Sequence, residues 1–264
     1  LAPGAWDADR LPLRRLALSA RGTPGRFTRL DIASLALELA DRDGLAGRLS
    51  GSGHWDADGL ALQTQWQDLQ PGRLDARLAP LRLSGPLALQ LRGLPPPQVL
   101  SGQASGAPFS AEALSLGVDG RLSGQTLTRN GPTVTLALQG RASARELVLT
   151  QAVAEAGAAR AQGTLQAERR AVGAPWQLRS EGTLRQFDPR LWWPGAEGSA
   201  WRQGPHRLQG RWQADLALPA DWRQARGHAD LTLDDSQLAG VAVAGTLRLQ
   251  ADGGGADTQA ELRA

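Results

Sequence analysis

Apolar side chains recur at every second position over much of this chain, a period that an extended strand buries on one face and a helix does not. In LALQTQW, Leu60, Leu62, Thr64 and Trp66 point to one side and Ala61, Gln63 and Gln65 to the other. The alternation returns at Leu87, Leu89 and Leu91; at Val134, Leu136 and Leu138; and at Leu208, Gly210, Trp212, Ala214 and Leu216. It continues through Leu231 and Leu233, then Leu247, Leu249 and Ala251. Gln, Arg, Asp, Thr and Ala fill most intervening positions. Each segment therefore reads as a strand with one apolar and one solvated face.

Turn chemistry falls between these runs. Asp41 to Gly44 (DRDG), Asp56 to Gly59 (DADG), Asn130-Gly131 and Asp252 to Gly255 (DGGG) supply the backbone freedom that tight hairpins need. The expected fold class is all-β: a long antiparallel meander of short amphipathic strands. RLDIASLALELA changes apolar phase near Ala33 and Ser34, which predicts a bulged strand or a short helix, with strand preferred. AVAEAGAARAQG has no apolar stripe and is read as strand.

A second pattern is a Gly followed by small or apolar residues at the second and fourth positions after it. It begins at Gly85, Gly120, Gly140, Gly163, Gly182, Gly210, Gly227 and Gly245, at irregular spacings that fit two short strands with their turns. Two stretches interrupt it. GLPPPQ, near 93–98, cannot be a central strand, because three prolines remove ladder donors. FDPRLWWPG opens a second irregular crossover, near 187–205, and sets Trp192 and Trp193 between Pro189 and Pro194. Neither has the length and polarity of a flexible tether, so residues 1–264 are expected to form one continuous segment. The absence of an initiating Met implies that this segment belongs to something longer.

Composition narrows the function. The chain is 41% hydrophobic, drawn mostly from Leu, Ala and Val, with nine Trp and three Phe. A pI of 10.9 invites a nucleic-acid reading, yet the net charge is only +3. Every cation is Arg and there is no Lys or Tyr, so a small positive excess persists until the pH nears the Arg pKa, above ~12. The charges interleave along the chain without forming a phosphate-binding cluster, so no nucleic-acid partner is expected. With no Cys there is no disulfide or thiol chemistry. No run of about 18 apolar residues is present to span a membrane as a helix.

Candidate chemical sites have simpler explanations. Asp56 and Asp58 supply too few oxygens for a calcium loop, and Asp41 and Asp43 repeat the same D-x-D-G form fifteen positions earlier (56 − 41), as hairpin geometry would require. His54, His206 and His228 lack metal-ligand spacing. No nucleophile elbow, P-loop or dinucleotide fingerprint occurs, so neither enzymatic activity nor a cofactor is expected. Trp66 and Trp212 sit in phase with the leucines, as large members of the apolar face; Trp192 and Trp193 read as a hydrophobic plug on a crossover. The face itself fits either the core of a closed sandwich or the lining of a groove for acyl chains, and periodicity leaves both open.

SGPLALQLRG, LVLTQAVAEAGAARAQGTLQ and LTLDDSQLAGVAVAGTLRLQAD resemble the texture of TamB and the wider AsmA-like proteins, in which Gly-punctuated amphipathic strands continue for hundreds of residues. The likeness covers most of the chain and rests on recurrence. It implies a sheet curled into an open, taco-like hydrophobic groove, located in the periplasm of a Gram-negative envelope and anchored to the inner membrane through another part of the protein. It also implies an Omp85-type, TamA-like outer-membrane partner, met outside this segment, and a role in phospholipid movement and outer-membrane biogenesis.

The two readings meet on the apolar face. The expected lipid-binding lining is Leu60, Leu62, Trp66, Val134, Leu136, Leu138, Leu208, Trp212, Leu216, Leu231, Leu233, Leu247 and Leu249, in contact with phospholipid acyl chains. The alternative expectation is a structural or chaperone-like scaffold whose exposed sheet edge assists assembly of outer-membrane β-barrel proteins.

Overall fold

The hairpin signals fold as their chemistry dictates. Asp41 Oδ1 accepts the Asp43 N–H at 2.8 Å, Asp56 Oδ1 accepts the Asp58 N–H at 3.0 Å, and Asp252 Oδ1 accepts the Gly254 N–H at 2.9 Å. In each case a short carboxylate side chain holds the turn closed. A computed structural model describes residues 4–8, 10–23, 26–98, 110–127, 131–192, 204–221, 224–254 and 256–263. Asn130, Trp193, Pro194 and Gly255 lie outside the described residues.

The strands are β1 (Leu13–Thr23), β2 (Arg26–Asp41), β3 (Gly44–Asp56), β4 (Gly59–Leu69), β5 (Leu81–Arg92), β6 (Ser115–Thr126) and β7 (Thr133–Ser143). They continue as β8 (Glu146–Ala156), β9 (Ala159–Glu168), β10 (Trp176–Phe187), β11 (Leu208–Leu218), β12 (Arg226–Leu238), β13 (Val241–Asp252) and β14 (Ala256–Arg263). All fourteen run in sequence order in one sheet, and the sheet is not closed: β1 and β14 are its two edges. The fold is the all-β antiparallel meander that the alternation predicts. RLDIASLALELA lies in β2, and the register slips between Ile32 and Leu35, where the apolar phase changes. A bulge lets the face stay apolar on both sides of the slip. AVAEAGAARAQG is the β8–β9 hairpin, turning at Gly157 and Ala158.

The chain falls into two compact units, Leu1–Thr133 with Arg141–Ala144, and Val134–Gly140 with Arg145–Ala264. The division passes through β7. The crossover near 93–98 lies inside the first unit and the described parts of the one near 187–205 inside the second.

In the first unit, the register aligns apolar residues into rows across the strands. One row is Leu16, Leu37, Leu49, Trp66 and Gly85; the next is Leu18, Leu35, Gly51, Thr64, Leu87 and Gly120. One end of this face is sealed by the β4–β5 connection, which begins with the helical turn α1 (Pro71–Leu74). Leu74 packs with Leu39 and Ala46, flanked by Leu37, Trp66 and Leu69. Arg73 locks the plug in place: its Nε donates to Asp41 Oδ2 at 2.9 Å and its Nη1 to the Leu45 carbonyl at 2.8 Å. Asp75 accepts from the Arg77 backbone N–H and Nε, both at 2.9 Å, and Asp7 Oδ2 accepts the Ala76 N–H at 3.0 Å.

In the second unit the rows are Leu149, Leu165, Ser180, Ala214, Ala229 and Leu249, and beside it Ala152, Gly163, Gly182, Trp212, Leu231 and Leu247. The described repeat glycines take apolar-face positions. Trp212 shows why: a Cβ on Gly163 would stand 2.6 Å from its ring, and one on Gly182 would overlap it. The indole thus lies across two residues that have no side chain, and its Nε1–H donates to Ser180 Oγ at 3.1 Å. Ser180 Oγ in turn donates to the Thr164 carbonyl at 3.0 Å, so this polar pair is satisfied within an apolar row.

Candidate functional site

The feature that recurs in both units is the difference between the two faces of the sheet. Along β10 the apolar-face residues Leu178, Ser180, Gly182 and Leu184 are half-buried, while Gln177, Arg179, Glu181, Thr183 and Arg185 are exposed. A sealed core would leave the first set inaccessible. On the edge strand β1 the same face is open, with Leu16 59% and Leu18 60% exposed. In the first unit accessibility falls toward the α1 plug, where Leu74, Leu81 and Leu83 are buried.

The expected lining residues occupy this face. In the first unit Leu60, Leu62 and Trp66 on β4 are half-buried, opposite Trp55, Gly53 and Leu49 of β3. In the second unit Leu136 and Leu138 on β7, Leu208, Trp212 and Leu216 on β11, Leu231 on β12, and Leu247 and Leu249 on β13 are also half-buried. Two residues differ: Val134 (0% exposed) and Leu233 (8%) are buried and present no surface to an occupant. Gln63, Gln139 and Gln250, each next in sequence to a lining residue, are exposed.

Sequence reasoning missed Leu37, Leu49 and Trp55, which share rows with Trp66 and Leu60, and Leu35, in the row between Thr64 and Leu18. The bulge in β2 hides Leu35 and Leu37 from a strict period of two. In β3, glycine and serine positions dilute the stripe around Leu49 and Trp55. The repeat glycines are themselves part of the face: Gly227 and Gly245 have φ of 126° and 141°, a region that side chains with a Cβ rarely enter. Glycines of this kind let a neighbouring backbone approach closely and let a sheet bend.

The opposite face is polar and internally compensated. Arg179 and Asp215 are cross-strand partners with Nε 3.2 Å from Oδ2, and Arg248 and Asp230 pair at 3.4 Å. A hollow of about 510 Å³ in the second unit opens between side chains such as Gln162, Thr183, Arg211 and Gln213 on this polar side. Its floor includes Gly163, Gly182 and Trp212 of the second apolar row, and most of its remaining lining is polar. Among the described residues no group of three or more His, Asp or Glu is placed to hold a metal ion, and no helix is long and apolar enough to cross a membrane. Asp56 and Asp58 are engaged in the β3–β4 turn, with His54 Nε2 3.6 Å from Asp56 Oδ2.

No family model matches the sequence, and no match was found among curated proteins or solved structures.

Proposed function

We propose that this chain is a segment of a non-enzymatic lipid conduit, in which the apolar face shields phospholipid acyl chains from water while they pass along it. The observation that carries this reading is the half-exposure of that face strand after strand, without, among the described residues, a covering layer of the kind that α1 provides at one end of the first unit. Each methylene withdrawn from water onto such a surface contributes about 0.8 kcal/mol. Rows of similar Leu, Ala and Gly positions offer an acyl chain many nearly equivalent resting places, so binding need not become a trap. The TamB and AsmA-like texture of the sequence supports the same reading. It extends the proposal to a periplasmic location, an inner-membrane anchor elsewhere in the protein, an Omp85-type partner and a role in outer-membrane biogenesis.

The test is site-specific photo-crosslinking in cells. A crosslinker at Leu62, Leu136 or Leu247 is expected to capture phospholipid, and one at Gln63, Gln139 or Gln250 is not. Capture at both sets would reduce the contact to nonspecific surface adhesion; capture at neither would remove the conduit.

A second reading rests on the unclosed sheet. Among the described residues the backbone groups of β1 and β14 on their outer sides have no strand neighbour, and an edge of that kind can template another strand. A scaffold for outer-membrane β-barrel assembly would use this edge. Crosslinkers on β1 would then capture unfolded barrel protein, with no dependence on Leu62 or Leu247.

A further inference from the structure

Three indole N–H groups on the apolar face fall into two states. That of Trp212 is satisfied by Ser180 Oγ. Those of Trp55 and Trp66, in the first unit, are buried with no hydrogen-bond partner. A buried donor without an acceptor is destabilising and uncommon in folded proteins. The hydroxyl of Thr64, on the same face, donates to the Leu87 carbonyl at 2.6 Å and accepts from neither indole. The β3–β4 register puts Trp66 opposite Leu49 and Trp55 opposite Leu60, so both rings belong to the face that Leu60, Leu62 and Thr64 share. Both rings remain partly accessible even though their N–H atoms are occluded. An indole with no bond to break loses no hydrogen bond on rotating toward an acceptor.

We propose that Trp55 and Trp66 are hydrogen-bond donors to the ester carbonyl oxygens of a diacyl glycerophospholipid lying on this face. The inference rests on the conduit reading and narrows it. Plain hydrocarbon cannot accept these bonds, whereas a diacyl lipid carries acceptors at the root of each acyl chain. Leu49 and Trp55 are six residues apart on β3 (55 − 49), so the two donors are separated by roughly 20 Å along the strand direction. That is too far for the adjacent ester groups of one lipid. The indoles are therefore two successive stations, each engaging the ester region of a lipid as it passes.

The experiment compares phosphatidylcholine carrying two ester-linked chains with its ether-linked counterpart of equal chain length, each presented in detergent micelles to the full chain labelled with ¹⁵N at the indole nitrogens. Single Trp55→Phe and Trp66→Phe variants assign the resonances and remove one donor while keeping an aromatic ring. The Trp212 resonance, already bonded, serves as the internal reference. The expected result is a downfield shift of the Trp55 and Trp66 indole protons with the diester lipid alone, a Trp212 resonance that responds alike to the two lipids, and diester binding about fivefold tighter than diether for each donor engaged. Each Phe variant should bind both lipids with the preference reduced. Equal affinity for the two lipids with identical indole shifts overturns the ester assignment and leaves the conduit standing; no binding of either lipid removes the conduit and this inference with it. Should a Phe variant fail to fold, the diester and diether spectra of the unaltered chain still decide.

Discussion

Single residues on this sheet do work that their chemical type does not announce. The carboxylates Asp56 and Asp58 resemble a metal site but belong to a turn, where Asp56 Oδ1 holds the Asp58 N–H. Asn accepts the same bond, so Asp56→Asn with Asp58→Asn should change unfolding free energy by less than about 0.5 kcal/mol. A calcium- or zinc-dependent rise in melting temperature that the double variant lost would show that the turn is a metal loop after all. Gly182 is the opposite case, a residue of no chemistry whose replacement is costly. A Cβ there meets the Trp212 ring and the Gln162 carbonyl oxygen, so Gly182→Ala should destabilise by about 1–3 kcal/mol in urea titration. Gly117→Ala is the steric comparison, since a Cβ there meets only ordinary contacts, with Gln90 Cβ at 3.5 Å.

At the scale of elements, the α1 connection is where a few polar bonds hold an apolar plug. Hydrogen bonding from Arg77 lowers the Asp75 carboxyl to about 2, and hydrogen bonding from Arg73 lowers Asp41 below its ordinary value. A folded-state value below the unfolded one means that the contribution is fully present above the unfolded carboxylate pKa, ~3.9, and is lost as the pH falls through the folded value. Amide protection factors in residues 70–80, taken relative to intrinsic exchange at each pH, should therefore fall between about pH 4 and pH 2. Asp75→Asn should show the lower protection already at neutral pH and lose much of the acid dependence. Protection unchanged across that window would mean that packing alone secures the plug. Leu74→Ala measures that packing and should cost about 2–5 kcal/mol, because Leu74 fills the gap between Leu39 and Ala46.

For the molecule as a whole, the question is what the apolar face meets when it is in use. A carboxylate in an acyl path is costly to desolvate, whereas on a half-exposed strand position it leaves the backbone ladder intact. Leu62→Asp in the first unit and Leu231→Asp in the second should therefore abolish lipid capture while the chain keeps its β-sheet circular dichroism and cooperative melting. If both variants unfold outright, the face is a core and the conduit reading fails. Gln63→Asp, on the solvated face beside Leu62, is the control expected to leave both properties unchanged.

Much of this architecture is local and was legible in the residues. Period-two alternation through Leu60, Leu62, Thr64 and Trp66 specifies a strand and its face, and Asp-x-Asp-Gly specifies the turn, because both depend only on neighbours along the chain. The phase change at Ala33 and Ser34 even marked the bulge in β2. What the alternation could not convey is how far each residue lies from water. Leu60 and Val134 occupy equivalent places in the pattern, yet Leu60 is half-buried and Val134 is inaccessible. Accessibility depends on what packs over a strand from elsewhere in the chain, and only tertiary structure decides that. The same holds for the repeat glycines, whose role follows from Trp212 and the backbones of adjacent strands, and for the indoles of Trp55, Trp66 and Trp212. Those three are chemically identical in the sequence, and the presence or absence of one serine hydroxyl across the sheet is what tells them apart.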